Sequence, residues 1–154
     1  MQDIDSKIVE AQLDAIFTDI CVDAVKIGML SDSKIIHVVA EKLKFYKPKI
    51  IVLDPVMISK SGHLDGEPVD RLYDGNKIYA FNSERINTKN THGTGCTLSS
   101  AIAANLALGY DIQKAVELSK MYVLSGIKNS IELGHGVGLI NHFYELYKKA
   151  GLNV

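Results

Sequence analysis

The chain has 154 residues, 47% of them hydrophobic, with 17 basic against 18 acidic side chains and a net charge of −1, a size and balance suited to one domain with a sizeable core. Its basic residues are scattered, which excludes an electrostatic footprint for nucleic acid or an anionic membrane. Two cysteines are too few for a disulfide framework, the opening Met1-Gln2-Asp3 lacks the pattern of a leader, and no apolar run approaches the roughly 18 residues of a membrane span, so a cytoplasmic protein is expected.

Ile8, Val9, Leu13, Ile16 and Phe17 recur at helical spacing after two candidate caps, Asp5 and Ser6, and predict an amphipathic helix. Ala24-Val25-Lys26-Ile27 predicts a strand that stops at Gly28, and Ser31 and Asp32 offer caps for a helix through about Phe45. Pro48 breaks that pattern before Ile50-Ile51-Val52-Leu53, the continuous apolar run of a strand buried on both faces. Helix, strand, helix, strand implies a parallel sheet with right-handed crossovers. Ligands of such sheets gather beyond the carboxyl ends of the strands. Gly28 and Met29 follow the first run; Asp54, Pro55, Val56 and Met57 follow the second. Asp54 either serves a metal or phosphate site or caps the turn before Pro55.

From Ser59 to Pro68 the composition is that of a loop or junction. Asp74-Gly75, between Val69–Tyr73 and Lys77–Phe81, predicts an antiparallel hairpin. Ser83 to Asn90 reads as a last strand leading into Asn90-Thr91-His92-Gly93-Thr94-Gly95-Cys96-Thr97, around which the chain is organised. Gly93 and Gly95 let the backbone turn tightly, and Leu98, Ala101, Ile102 and Leu106 begin a helical pattern directly after them. Unpaired N–H groups and the positive end of the helix dipole make such a start an anion site. Cys96 falls in the first turn, where the dipole favours thiolate, so it either acts as a base or is a small buried hydrophobe.

Gly109 predicts the stop of that helix, and Asp111 the cap of the next, which turns Ala115, Val116, Tyr122, Val123 and Ile127 inward with Lys120 beside them. A lone lysine there is ordinarily solvated or snorkelling. Gly134-His135-Gly136-Val137-Gly138 predicts a flexible turn, and Ile140, Phe143, Leu146 and Tyr147 a final helix. The spacing of His92, Cys96, His63 and His135 does not support a zinc site, nor does the loop carry the frame of a thiol hydrolase.

Four stretches taken in order carry a resemblance: Val22 to Leu30; Leu53-Asp54-Pro55-Val56-Met57 with Lys60-Ser61-Gly62; Asn90 to Thr97; and Gly134-His135-Gly136 with His142. They resemble the hydroxymethylpyrimidine and phosphomethylpyrimidine kinases of thiamine biosynthesis, within the ribokinase-like superfamily. The resemblance implies an α/β, ribokinase-like fold with a mostly parallel sheet flanked by helices. It implies transfer of the γ-phosphoryl group of ATP, with Mg2+, to 4-amino-5-hydroxymethyl-2-methylpyrimidine and then to its monophosphate. By position, Gly93, Thr94 and Gly95 are the anion hole and Cys96 the base, where most of the superfamily has an aspartate. Met29 and Val56 wall the pyrimidine pocket, Asp54 stands near magnesium and phosphates, and Lys120 neutralises the triphosphate.

Against the family pattern, residues 1–154 read as a single but partial domain. An N-terminal strand and a glutamine-bearing stretch are missing, and Lys60-Ser61-Gly62 joins His63-Leu64 directly, which puts a seam near 62–63 where the family carries a central block. Missing strands expose edges and apolar faces, so a homodimer is expected. Two other functions remain: a pyridoxal or pyridoxine kinase, since some relatives with a Gly-Thr-Gly-Cys loop take that aldehyde, or an impaired kinase that acts as a binding protein.

Overall fold

The computed structural model describes residues 4–54, 69–132 and 134–152. The expected loop at Ser59–Pro68, the seam, and Pro55, Val56 and Met57 lie outside the described residues. The chain divides into two compact units, Met1–Ser59 and Lys60–Val154.

In the first unit the order is α1 (Ser6–Asp19), β1 (Val25–Ile27), α2 (Ser33–Tyr46) and β2 (Ile51–Leu53). Of the candidate caps, Asp5 and Asp32 are used, each carboxylate accepting from the backbone N–H two residues on, at 2.8 and 3.0 Å. This satisfies one of the amides that every helix start leaves over. The chain leaves α2 through Lys47, whose φ of 50° closes the helix in the left-handed region before Pro48. β1 and β2 pair in parallel, Val25 with Ile51 and Ile27 with Leu53, as the helix–strand alternation requires. One expectation is corrected here. β2 is not buried on both faces, since Ile51 and Leu53 are 47% and 62% exposed: a two-stranded sheet among the described residues leaves that face uncovered. α1 forms as expected, with Val9, Leu13 and Phe17 partly buried and Ile8 and Ile16 half exposed.

What joins α1 to α2 is partly polar. Lys42 Nζ lies 2.7 Å from Asp14 and 3.0 Å from Glu10, the Tyr46 hydroxyl donates to the other Asp14 oxygen at 2.8 Å, and Phe17 stacks on Tyr46 at 4.7 Å. Hydrogen bonds from Lys42 and then Tyr46 hold the Asp14 carboxyl below its ordinary value. The same carboxylate raises Lys42 and Tyr46 above theirs. A depressed carboxyl stabilises the fold above its unfolded value near pH 4 and loses that contribution as pH falls through the folded value. The raised lysine and phenol contribute below about pH 10 and lose it as pH rises through their folded values. Asp14→Asn is therefore expected to lower the urea midpoint at pH 7 and to flatten its fall between pH 5 and 2. Equal acid slopes for the two chains would refute that.

The second unit runs β3 (Val69–Tyr73), β4 (Ile78–Asn82), α3 (Thr94–Ala107), α4 (Ile112–Lys128) and α5 (Tyr144–Lys149). β3 and β4 form the expected antiparallel hairpin, Val69 opposite Asn82 and Tyr73 opposite Ile78. Gly75 takes a φ of 96°, and the Asp74 carboxylate accepts from the Asn76 and Lys77 amides at 2.9 Å each. Ser83–Asn90 is not a strand. From Arg85 on its side chains alternate as an extended segment's do, but among the described residues no neighbouring strand pairs with it. Gly109, at φ 90°, follows the end of α3, and the Asp111 carboxylate caps α4 by accepting from the Lys114 amide at 2.9 Å. α4 packs on α3 along Ala115, Ser119 and Val123. Tyr122, expected inside, is 38% exposed, and the last helix is only six residues long, starting after Ile140 and Phe143.

Candidate active site

Gly93 precedes α3 with φ 83° and ψ 0°, a conformation that costs an L side chain about 1–2 kcal/mol, so only glycine takes it freely. Gly95 is in ordinary helical backbone, and a methyl group added there would meet nothing within 4 Å. Its smallness leaves open space at the helix tip. No side chain caps α3. The Thr94 amide donates to the Thr91 carbonyl at 3.4 Å, and the first helical bond runs from Thr97 to Gly93 at 2.9 Å. Among the described residues the amides of Gly95 and Cys96 have no acceptor. Helix starts ordinarily fill those positions with a Ser, Thr, Asp or Asn cap; here the chain leaves two donors and the dipole to an outside anion. Gly93→Ala is expected to lower stability by about 1 kcal/mol and to weaken anion binding, measured by thermal melts with and without inorganic phosphate. A phosphate-induced shift equal to the unsubstituted chain's would argue against the loop.

Cys96 is exposed and unpaired with Cys21, which removes the reading of it as a buried hydrophobe. Behind it, the Thr97 hydroxyl donates to the Gly93 carbonyl at 2.8 Å, and the buried Ser99 hydroxyl to the Cys96 carbonyl at 3.0 Å, so the first turn is tied to itself. Along the flank of α3 opens a cleft of about 700 Å3 whose walls include Cys96, Thr97, Ala101, Leu108, Tyr122 and His142. The Tyr122 hydroxyl lies 3.2 Å from His142 Nδ1 and 3.2 Å from the His142 carbonyl. Cys96 therefore lies on the wall of a mostly apolar cleft that His142 also lines.

The loop is held from below by contacts that reading the sequence did not find. Asn90 is 2% exposed and donates through Nδ2 to the Ser130 hydroxyl at 3.1 Å, while its Oδ1 has no partner among the described residues. Gly138 lies so close that a methyl group there would stand 2.6 Å from Asn90 Cγ. The Gly138 carbonyl accepts from the His92 amide at 3.2 Å, and His92 bridges Leu139 in parallel. The expected turn forms at 134–136, with Gly134 at φ 70°, and the residues that follow it clamp the anion loop. Two glycines, Gly136 and Gly138, flanking a single valine were the available signal for so close an approach.

The other candidates fall in two places. Met29, 68% exposed, and Asp54 lie at the carboxyl edge of the parallel pair, where the Asp54 amide donates to the Ile27 carbonyl at 2.9 Å. Asp54 also stands 3.8 Å from Lys26 Nζ. Val56 is outside the described residues. Among the described residues no group of three His, Cys, Asp or Glu could hold a metal. Lys120 belongs to the same unit as Cys96 but is not among the residues of the cleft. Leu118 and Tyr122 face the cleft, and the helical period turns Lys120 to the far side of α4, where it is 7% exposed.

The sequence model of the phosphomethylpyrimidine kinase family matches the chain in two blocks, residues 1–65 and 60–141. The chain belongs to this family. The hydroxymethylpyrimidine/phosphomethylpyrimidine kinase of Rhizobium meliloti is 30% identical to it over 216 aligned positions, which take in 96% of this chain and 81% of that kinase. With 154 residues here, more than sixty of those positions face a gap. The bifunctional thiamine biosynthesis protein ThiED of Geobacter sulfurreducens is 32% identical over 85% of this chain, and the chain spans 40% of that protein's length. Of solved structures, the phosphomethylpyrimidine kinase of Clostridium difficile superposes with a TM-score of 0.70 at 34% identity, covering 82% of this chain and 78% of its own. An ADP complex of Bacillus subtilis pyridoxal kinase superposes with 0.86 at 28%, covering 94% and 79%. This kinase-family chain thus has the ribokinase-like α/β fold, in a shorter form. Among its described residues no helix is long and apolar enough to cross a membrane.

Proposed function

We propose that the chain transfers the γ-phosphoryl group of ATP to the hydroxymethyl oxygen of 4-amino-5-hydroxymethyl-2-methylpyrimidine and to its monophosphate, as a cytoplasmic enzyme that pairs as a homodimer. The observation that carries this reading is the uncapped start of α3, with Gly93 at φ 83° and an exposed Cys96 in the first turn, inside the second block of the family match. Phosphoryl transfer needs positioning and charge stabilisation more than covalent chemistry from the protein. The anion-hole loop of Gly93, Thr94 and Gly95, with the open Gly95 and Cys96 amides at the helix start, receives the oxygens of the group in transit. The Cys96 sulfur takes the proton of the hydroxymethyl group as its oxygen bonds to phosphorus and the bond to ADP breaks. Lys120 is the cation assigned to the triphosphate, Met29 and Val56 the walls for the pyrimidine.

Magnesium is commonly held by one or two carboxylates, with phosphate oxygens and water completing its shell. Asp54 fits a single-carboxylate role of that kind and no larger one, because the metal-donor cluster of a protein cage is lacking among the described residues. When bound with the nucleotide, the ion supplies charge neutralisation at the phosphates.

Residues 1–154 are read as one partial kinase domain with a seam near 62–63, which the two-block match supports. More than sixty unmatched positions take contacts away from the site, so turnover is expected to fall well below that of the full-length relatives, with phosphate binding retained. Following ADP release with ATP, magnesium and the pyrimidine monophosphate tests this: turnover on the order of 1 per second would refute impairment. A pyridoxal kinase shares the fold, which makes phosphorylation of pyridoxal the second reading. Turnover on pyridoxal above that on the pyrimidine would decide for it.

A further inference from the structure

Lys120 Nζ donates to the Phe81 carbonyl on β4 and stands 2.8 Å from an Asp70 carboxylate oxygen on β3. Residues 70 and 81 are opposite one another in the hairpin, so a single rung presents both acceptors. The two partners of the lysine are unequally held. Phe81 offers a main-chain oxygen in a paired strand, which cannot leave without breaking the hairpin. Asp70 offers a side chain 58% exposed, against 9% for the side chain of Lys120. An ammonium withdrawn from water needs an anion beside it, and among the described residues that anion is this solvent-facing carboxylate. An external anion therefore reaches Nζ by taking the place of Asp70.

We propose that Asp70 is the resting counter-ion of Lys120, exchanged for a triphosphate oxygen when nucleotide binds, and so a positioning residue that acts through the lysine. This rests on the assignment of Lys120 to the triphosphate made above. In the free chain the carboxylate holds the buried ammonium in place. In the bound chain it has swung into solvent, and the phosphate carries the neutralising charge. The same carboxylate opposes binding, since the incoming anion must displace it. Asp70→Asn keeps the shape and an acceptor oxygen but removes the competing charge.

Calorimetric titration of the full chain with inorganic tripolyphosphate, which needs no turnover, tests the exchange. Asp70→Asn is expected to bind tripolyphosphate about three- to fivefold more tightly, the scale of one half-exposed ion pair, and Asp70→Glu to return to the original affinity. Lys120→Met is expected to weaken binding and to abolish the effect of Asp70→Asn when the two are combined. A purely structural ion pair would leave affinity unmoved and lower only the melting temperature. Should Asp70→Asn bind no more tightly while Lys120→Met weakens binding, the exchange is overturned and the kinase assignment stands. Should Lys120→Met change nothing, the exchange is overturned and Lys120 leaves the proposed phosphate site. Asp70→Ser carries the same expectation if the asparagine chain does not fold.

Discussion

Cys96→Ala is expected to lower turnover by about 10²- to 10⁴-fold relative to the same chain with the thiol, with ATP affinity nearly unchanged. The thiol is exposed at the start of α3 beside a cleft of about 700 Å3, so its removal leaves no cavity in the core and no buried group unpaired. The backbone donors of the loop remain, because Gly93 and the helix start are set by main-chain geometry and the Thr97–Gly93 bonds. Loss of rate without loss of nucleotide binding separates a base from a binding residue. Cys96→Asp restores a proton acceptor at the same place and is expected to recover most of the rate. ADP release measures the first quantity and calorimetry with ATP the second. A turnover within twofold of the unsubstituted chain would take the sulfur out of the mechanism, and a parallel loss of ATP affinity would make it part of the binding site instead.

The regular elements of this chain were legible because local signals decide them. Asp5, Asp32 and Asp111 each cap the helix they precede, Gly109 ends α3, and Asp74-Gly75 turns the hairpin. The failures came where a neighbour decides. Ile51 and Leu53 have the apolar character of a strand covered on both faces, yet covering depends on elements that a local run cannot specify, and both are exposed. Ser83–Asn90 reads like a strand, but among the described residues no strand pairs with it. The same distinction holds in the site. The anion loop is a local device, visible in Gly93, Gly95 and the helical pattern behind them. The environment of Lys120 is not local: the acceptors at Asp70 and Phe81 lie 50 and 39 positions away and meet it only through the hairpin register.

Gly138→Ala is expected to be the most damaging single methyl group in the second unit. The added carbon would stand 2.6 Å from Asn90 Cγ and 3.3 Å from its Cβ, and Asn90, at 2% exposure, has no solvent to swing into. Relief requires either moving residues 138–139 off His92 or driving the amide away from Ser130, which strands a buried polar group. Overpacking of this kind costs about 1–3 kcal/mol and a stranded polar group about 1–3 kcal/mol more. At about 2–4 °C for each kcal/mol, the melting temperature should fall by roughly 10 °C. Because the clash is with one side chain, Asn90→Ala on top of Gly138→Ala should recover stability, giving a double-mutant coupling of favourable sign. The double variant should also show whether the clamp sets the loop's shape: phosphate-induced stabilisation is expected to stay low even after the fold recovers, since the buried amide that braces the anion loop is gone. Additive losses from the two substitutions would mean that Gly138 and Asn90 do not press on each other, and an unaltered response to phosphate would mean that the loop holds its form without them.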